Sequence, residues 1–327
     1  MPLFPPVFRY LSPAGAGGKL SVFIFHRVFP VVDPFAPDEV DAARFDAICA
    51  WLAQWFNVLP LDRASQLLVN GELPERAAAI TFDDGYEDNA SVAVPLLARH
   101  GLTATFFVAS DYLDGGVMWN DVILECLRNC PDDAIDLSEI CDGLGRYRLV
   151  SIDDRRAAVS AVTKGVKYLA PADRERAVQV LAERSRVAAP SNLMMSSDQV
   201  CGLLQTGMSV GAHTCSHPIL AKLNSSDTFD EISRNKKVLE NLTGQEVRLF
   251  AYPNGKPDID YTQASVDVVK ACGFWAAVST AWGAGHVGSD RFQLPRFTPW
   301  DRTGWRFGLR VAQNLRTALP DTRSRNP

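Results

Sequence analysis

Six short apolar runs punctuate the chain: 21–25 (Ser-Val-Phe-Ile-Phe), 78–82 (Ala-Ala-Ile-Thr-Phe), 103–108 (Thr-Ala-Thr-Phe-Phe-Val), 208–212 (Met-Ser-Val-Gly-Ala), 247–251 (Val-Arg-Leu-Phe-Ala) and 274–279 (Phe-Trp-Ala-Ala-Val-Ser). Most are near-continuous rather than alternating, the pattern of parallel strands buried on both faces. Helical patterns over 42–55, 89–99, 198–205, 228–242 and 262–271 fall between them. Asp88 or Asn89 is placed to cap the second of these helices, and Ser197 or Asp198 the third. Strand–helix alternation of this kind predicts an α/β architecture, either a barrel or a doubly wound sheet. Residues 111–195 break the alternation: they carry charge and helix formers and no convincing strand, which predicts a helical insertion after the third strand, either a lid or a solvated excursion.

The polar residues that follow the apolar runs sharpen the picture. His26 follows the first, Asp83-Asp84-Gly85 the second, His213 the fourth and Tyr252-Pro253-Asn254-Gly255 the fifth. Four strand ends that deliver polar groups on their C-terminal side are what a barrel active site requires. Adjacent aspartates repel, and ionising both in one desolvated place is costly unless a cation or a shared proton compensates. One acid can then hold a metal and the other act as a base. Two of the 5 histidines lie within His213-Thr214-Cys215-Ser216-His217. At i and i+4 they share a face if the segment turns helically. With one carboxylate they make a three-ligand site with open positions, suited to zinc or another divalent transition metal. Cys215 falls off that face and reads as packing.

Composition narrows the classes. With 327 residues and 47% hydrophobic content the chain can build a sizeable core, and a net charge of −5 argues against a nucleic-acid groove. No apolar stretch approaches the ~20 residues of a membrane span. Met1-Pro2-Leu3-Phe4-Pro5-Pro6 does not read as a secretory signal, and the 7 scattered cysteines suit reduced thiols, so the expected location is cytoplasmic or at the inner membrane surface.

Thr81-Phe82-Asp83-Asp84-Gly85 and His213-Thr-x-x-His217 resemble the first two signature motifs of the polysaccharide deacetylases, the carbohydrate esterases of family 4 with the NodB-type deacetylase domain. Phe250-Ala-Tyr-Pro-Asn-Gly255 resembles a variant of their third motif. The resemblance spans roughly 20–300. It implies a distorted (β/α)7 barrel, a divalent metal (zinc by default, with cobalt, nickel, manganese or iron on the same ligands) and hydrolysis of acetyl groups from N-acetylated sugars. It makes Asp83 the general base, and Asp84, His213 and His217 the metal ligands. A backbone N–H in the Tyr252–Asn254 turn becomes an oxyanion donor, and an imidazole the general acid.

Two positions depart from the family pattern. Where the third motif has an arginine that orients the base, this chain has Ala251; Arg296, in Leu294-Pro295-Arg296-Phe297, is the expected replacement, ahead of Arg248. The late strand that ends in histidine is also missing, since His286 lies in a glycine-rich loop. A strand ending in histidine occurs instead at His26, which resembles the circularly permuted subgroup of the family and makes His26 the expected general acid. His100 reads as a helix C-cap. Trp119, Tyr252 and Asn254 are the candidate substrate contacts, with core packing the alternative for Trp119 and Tyr252.

The division expected is an N-terminal extension (1–20), a deacetylase barrel (21–300, with 111–195 inserted) and a basic tail (301–327). Arg302, Arg306, Arg310, Arg316, Arg323 and Arg325 interleave there with apolar residues, a pattern that either packs on the barrel or makes peripheral membrane contact. The expected function is metal-dependent removal of N-acetyl groups from N-acetyl-hexosamine units of a polysaccharide or its lipid-linked precursor. The alternatives are an O-acetyl esterase or small-molecule amidase on the same scaffold, or a non-catalytic carbohydrate-binding protein.

Overall fold

The computed structural model describes residues 3–141 and 143–317. They fall into two compact units, one formed by residues 3–31, 38–113 and 195–317, the other by Val32–Pro37 and Asp114–Met194.

The first unit is built on a parallel sheet. Its strands are β1 (Ser21–Phe25), β4 (Asn57–Val58), β5 (Ala77–Phe82), β6 (Thr105–Val108), β9 (Ser209–Ala212), β10 (Leu249–Ala251) and β11 (Ala276–Val278). The order is β1-β5-β6-β9-β10-β11, and β4 lies beside the start of β5. A short parallel pair, β2 (Val28–Phe29) and β3 (Val40–Asp41), sits apart. All six runs predicted as strands are strands, and β1 has the predicted bounds.

The ring closes through residues 294–297. Leu294 bridges Val278 of β11 and Phe297 bridges Phe23 of β1, both in parallel sense. The Phe297 N–H donates to Val22 (2.8 Å) and the Leu294 N–H to Ala277 (2.9 Å). The result is a distorted (β/α) barrel, as the resemblance implies. First and last strands are joined by this closing segment rather than paired directly, and it carries Arg296.

Around the sheet pack α1 (Phe4–Leu11), α2 (Ala42–Trp55), α3 (Leu61–Asn70), α4 (Val94–Arg99), α8 (Ser197–Gln205), α9 (Ser225–Thr243), α10 (Gln263–Ala271) and α11 (Gly304–Arg316). Asp41 caps α2 by accepting from the N–H groups of Ala43 and Arg44, and a Ser196/Gln199 capping box starts α8. The third helix is thus capped one residue before the expected positions. Residues 89–93 form a π-helical turn ahead of α4, and Asp88 does not cap it: its carboxylate accepts from Arg27 Nε (2.7 Å) and the Val28 N–H (3.1 Å). Neither α1 nor α11 was expected. Phe4 and Phe8 on one, and Phe307, Val311 and Leu315 on the other, enter the core around Trp55. Arg323 and Arg325 lie outside the described residues.

The second unit holds α5 (Trp119–Asn129), α6 (Ile152–Val166), α7 (Pro171–Ser185) and an antiparallel hairpin, β7 (Ala134–Asp136) and β8 (Arg146–Arg148). It has its own core, centred on Ile123, Leu127, Leu137, Leu149, Val162 and Leu181. The sequence reading saw only helices here, because strands of three residues such as Arg146-Tyr147-Arg148 carry no buried run. Asp33, supplied from upstream in the chain, pairs with Arg128 (2.5 Å).

Gly211 allows the sheet its close packing near the site: a Cβ there would stand 2.4 Å from the ring of Phe107 on the neighbouring strand. Gly211→Val is expected to destabilise the first unit by about 1–3 kcal/mol through overpacking. A denaturant midpoint equal to the parent's would refute that.

Candidate active site

The parallel register carries the chemistry to one end of the sheet. Phe25 pairs with Phe82, so the next residues, His26 and Asp83, leave neighbouring strand ends together. The Asp83 N–H donates to Phe25 O (3.0 Å). Strand alternation sends Thr81 and Asp83 to the same side, where the Arg296 guanidinium lies. Its Nη1 and Nη2 donate to the two carboxylate oxygens of Asp83 at 2.7 Å each, its Nε donates to Ser279 O (2.9 Å), and Nη1 also reaches Thr81 Oγ1 (3.3 Å). Both side chains are buried, at 0% and 3% exposure. Burial, the largest single influence, would raise the Asp83 carboxyl; the Arg296 charge and hydrogen bonds and the nearby imidazoles together outweigh it and hold the group below the usual carboxylate range. Arg248, by contrast, precedes β10 and so lies at the opposite end of the sheet, near Glu246 and the Trp275 ring.

Asp84 departs from strand geometry at φ +78°, a conformation aspartate tolerates better than most residues. This turns its carboxylate toward two imidazoles. Its Oδ1 lies 3.3 Å from His213 Nε2 and 3.4 Å from His217 Nε2. The oxygen is buried and has no hydrogen-bond partner. His213 Nδ1 lies 2.8 Å from Ala251 O, which fixes a proton on Nδ1 and leaves Nε2 facing the acid. Burial depresses His217 to about 4, so it is neutral. For His213 burial also opposes charge, but contact with Asp84 and the field of both aspartates win and raise it. Burial would raise Asp84 too, yet the neighbouring imidazoles lower it.

The histidine turn is not helical. Its residues converge because Thr214 (φ +63°) and His217 (φ +52°) adopt left-handed backbone, an outlying conformation for a β-branched threonine. Thr214 Oγ1 donates to His213 O (2.5 Å) and accepts from the His217 N–H (3.1 Å), which stitches the turn together. Two residues of α9 hold it from behind. Glu231 accepts from the N–H groups of Cys215 and Ser216 (2.9 Å each) and from Ser216 Oγ (2.8 Å). Asn235, fully buried, accepts from the His213 N–H (3.0 Å) and donates to Val108 O (3.1 Å). Nothing in the sequence reading pointed to either: they are polar positions on a helix whose charged residues read as solvated. Cys215 is buried packing, as expected, with its thiol pushed up to about 11 by burial.

Three lone-pair donors crowded together are unfavourable without a cation. Asp84, His213 and His217 form the metal-ligating cluster found among the described residues, with ligand atoms within 4.8 Å of one another. Ligand bonds of about 2.1 Å put ligand atoms roughly 3.0–3.4 Å apart in octahedral or tetrahedral geometry. The two Asp84–imidazole separations and the orphaned Oδ1 therefore fit a divalent transition metal.

Other expected residues land elsewhere or stand less close. His26 is exposed, and its charge is felt by Asp83, Asp84 and His217; its carbonyl is held by Asn89 Nδ2 (2.8 Å). His286 follows Gly285, which bridges Leu20 ahead of β1, so it lies at the other end of that strand. Asn254 sits at the site end of β10, half-buried, with φ +57°. Tyr252 is a correction: its ring is fully buried, stacks on Tyr261 (3.8 Å between centroids) and donates its hydroxyl to Phe292 O (3.0 Å), so it is core rather than substrate surface. Trp119 belongs to the second unit, where the Arg174 guanidinium lies 5.1 Å from its ring. His100 does end α4, but its ring pairs with Asp46 (2.9 Å) rather than with helix carbonyls.

Known proteins share this fold. The family model described as polysaccharide deacetylase matches residues 70–132 and 154–277. The Bacillus subtilis (strain 168) protein YxkH, named as a polysaccharide deacetylase, is 20% identical over 280 residues, covering 85% of this chain and 70% of its own. Among solved structures, the Streptococcus pyogenes deacetylase PplD in complex with acetate superposes with a TM-score of 0.60 at 17% identity, over 91% of this chain and 99% of that one. IcaB from Ammonifex degensii gives 0.59 at 17% identity, over 94% and 99%. The family match extends over more than half of the residues, and the chain belongs to the polysaccharide deacetylases.

Proposed function

We propose that the protein is a metal-dependent hydrolase that removes N-acetyl groups from N-acetyl-hexosamine units of a polysaccharide or its lipid-linked precursor. The observation that carries this reading is the buried, unpartnered Asp84 oxygen facing two imidazole nitrogens, with an arginine-held aspartate in the adjacent position. Asp84, His213 and His217 would hold a divalent cation, zinc by default, which would supply Lewis acidity toward the acetyl carbonyl and the attacking water. Asp83 takes the proton of that water. Arg296 keeps Asp83 ionised and fixes the plane of its carboxylate. The Asn254 N–H donates to the oxygen that becomes negative as the acetyl carbon turns tetrahedral. His26 gives a proton to the departing amine. That last role favours amide over ester substrates, since an amine needs protonation to leave far more than a sugar hydroxyl does. A location in the cytoplasm or at the inner membrane surface remains part of the proposal; no described helix is long and apolar enough to cross a membrane.

Acetate release from N-acetylglucosamine oligomers, set against acetylated xylan, tests the substrate class. Release from xylan alone would replace the amidase reading with an esterase one, and oligosaccharide binding without any release would leave a carbohydrate-binding protein. Asp83→Asn is expected to lower turnover by about 10²–10⁴-fold, the range of a general base, with metal content near the parent's by elemental analysis. Loss of metal with the rate retained would reverse the two aspartates' roles.

Metal loading should also be visible without turnover. Zinc at about 1,000 times its Kd is expected to add roughly 4 kcal/mol to the stability of the parent by linkage, and nothing to Asp84→Ala. Equal thermal shifts in the two proteins would place the ion elsewhere.

Arg296→Lys keeps the charge and loses the two-pronged contact. It should fold and bind metal yet turn over about 10²-fold slower, the cost of a base displaced by about an ångström. His26→Ala should slow amide hydrolysis while sparing metal content. An unaffected His26→Ala beside an inactive His286→Ala would assign the acid to the other histidine.

A further inference from the structure

We propose that the paired outer faces of α1 and α11 form a docking surface for an anionic phospholipid membrane. The two helices touch at a point of close approach: a Cβ on Gly308 would stand 2.3 Å from the Phe4 ring, and the Phe4 and Trp305 rings are 5.5 Å apart. With Phe4 and Phe8 spent on the core, α1 turns another stripe outward: Leu3, just ahead of it, Val7 and Tyr10, at 56%, 37% and 86% exposure. With Phe307, Val311 and Leu315 spent on the core, α11 turns out Trp305 and Leu309, at 48% and 49%. Five large apolar or amphipathic side chains thus emerge from two contacting helices. Isolated exposed apolar residues need no explanation, but five borne by two touching helices do.

The charge on this face selects the partner. The chain has 38 acidic residues, and not one lies in either helix. Arg306 and Arg316 flank the apolar stripe of α11, both exposed. Arg9 on α1 is paired with Glu75, and Arg310 does not face out freely: it is held by Asp301 (2.6 Å) and lies within 5.0 Å of the Trp282, Phe297 and Trp300 rings. Tryptophan and tyrosine prefer the headgroup level of a bilayer, and arginine pairs there with lipid phosphate. A protein partner with an apolar patch would not need the arginine flank, whereas an anionic bilayer uses both features. The surface requires α1 as much as α11, so it is a folded face rather than a basic tail. This inference does not depend on the deacetylase reading.

Vesicle co-sedimentation of the full chain tests it. The parent is expected to bind phosphatidylcholine vesicles containing about one third phosphatidylglycerol, with binding much weaker on phosphatidylcholine alone and largely released at about 0.5 M salt. Tyr10→Glu combined with Leu309→Glu should reduce binding at least ~10-fold, and Arg306→Glu should cost about five-fold on the anionic vesicles only. Circular dichroism and the thermal midpoint of each variant confirm folding. Phe229→Glu, at an exposed apolar position on α9, is the control and should bind like the parent. No binding to either vesicle overturns the proposal, as does a Phe229→Glu loss equal to that of the double variant. A parent that is dimeric by light scattering, with the Tyr10/Leu309 variant monomeric, would instead make this face an interface between two copies.

Discussion

Two carboxylates side by side in a desolvated place are the constraint around which the barrel's upper end is organised. Charges about 4 Å apart at an effective dielectric of about 20 repel by about 4 kcal/mol, and burial penalises each further. The fold separates the two problems. Strand alternation keeps Asp83 with Thr81 on the side of Arg296, whose rigid fork meets both oxygens. A left-handed residue then throws Asp84 off the strand and toward the imidazoles. One acid is neutralised by a resident cation in the covalent chain; the other is left with an unsatisfied oxygen that only a mobile cation or a proton can answer. A proton on His213, whose affinity for it the two aspartates raise, would serve only one nitrogen–oxygen contact. A metal ion would serve all three donors at once.

Arg296 shows how such a constraint is met in space rather than in sequence. The third motif lacks its arginine, yet the guanidinium arrives from the segment that closes the sheet between β11 and β1. That segment is held on both sides by main-chain bonds, and Arg296 adds its own: its N–H donates to Ala281 O at 2.9 Å. The closure that completes the barrel therefore also aims the arginine, which links the integrity of the sheet to the orientation of Asp83. Asn235 makes the same kind of link on the other side, tying the end of β9 to the end of β6 through one buried amide.

How much of this was legible in the sequence follows from the physics of each element. Strands buried on both faces must be apolar throughout, so β1, β5, β6, β9, β10 and β11 announced themselves, and the residues just beyond them marked the site. The closing segment 294–297 did not: it contributes two bridges and a buried arginine rather than an apolar run. Helix α1 sends only Phe4 and Phe8 inward, and α11 interleaves its inward residues with arginines, so their patterns read as extension and tail. The histidine pair was found with the wrong local geometry, because i, i+4 spacing suggests a helix whereas the convergence comes from two left-handed residues stitched by Thr214. Tyr252 stood between substrate contact and packing because position after a strand says nothing about which way a side chain turns; its hydroxyl has a carbonyl available inside, which decides for packing.

The positioning groups were the least legible part, and the reason is general. Glu231 and Asn235 act through the backbone of the histidine turn, so no signature spacing ties them to the ligands; they lie four apart on α9, on the face that meets β9. A helix that looks solvated by composition can hold a strained turn with one carboxylate and one amide. The cost of the left-handed Thr214, of the order of 1–3 kcal/mol for such a residue, is opposed by the three bonds that Glu231 accepts and the one that Asn235 accepts. The ligand geometry at His213 and His217 therefore rests on a helix that contributes no ligand of its own.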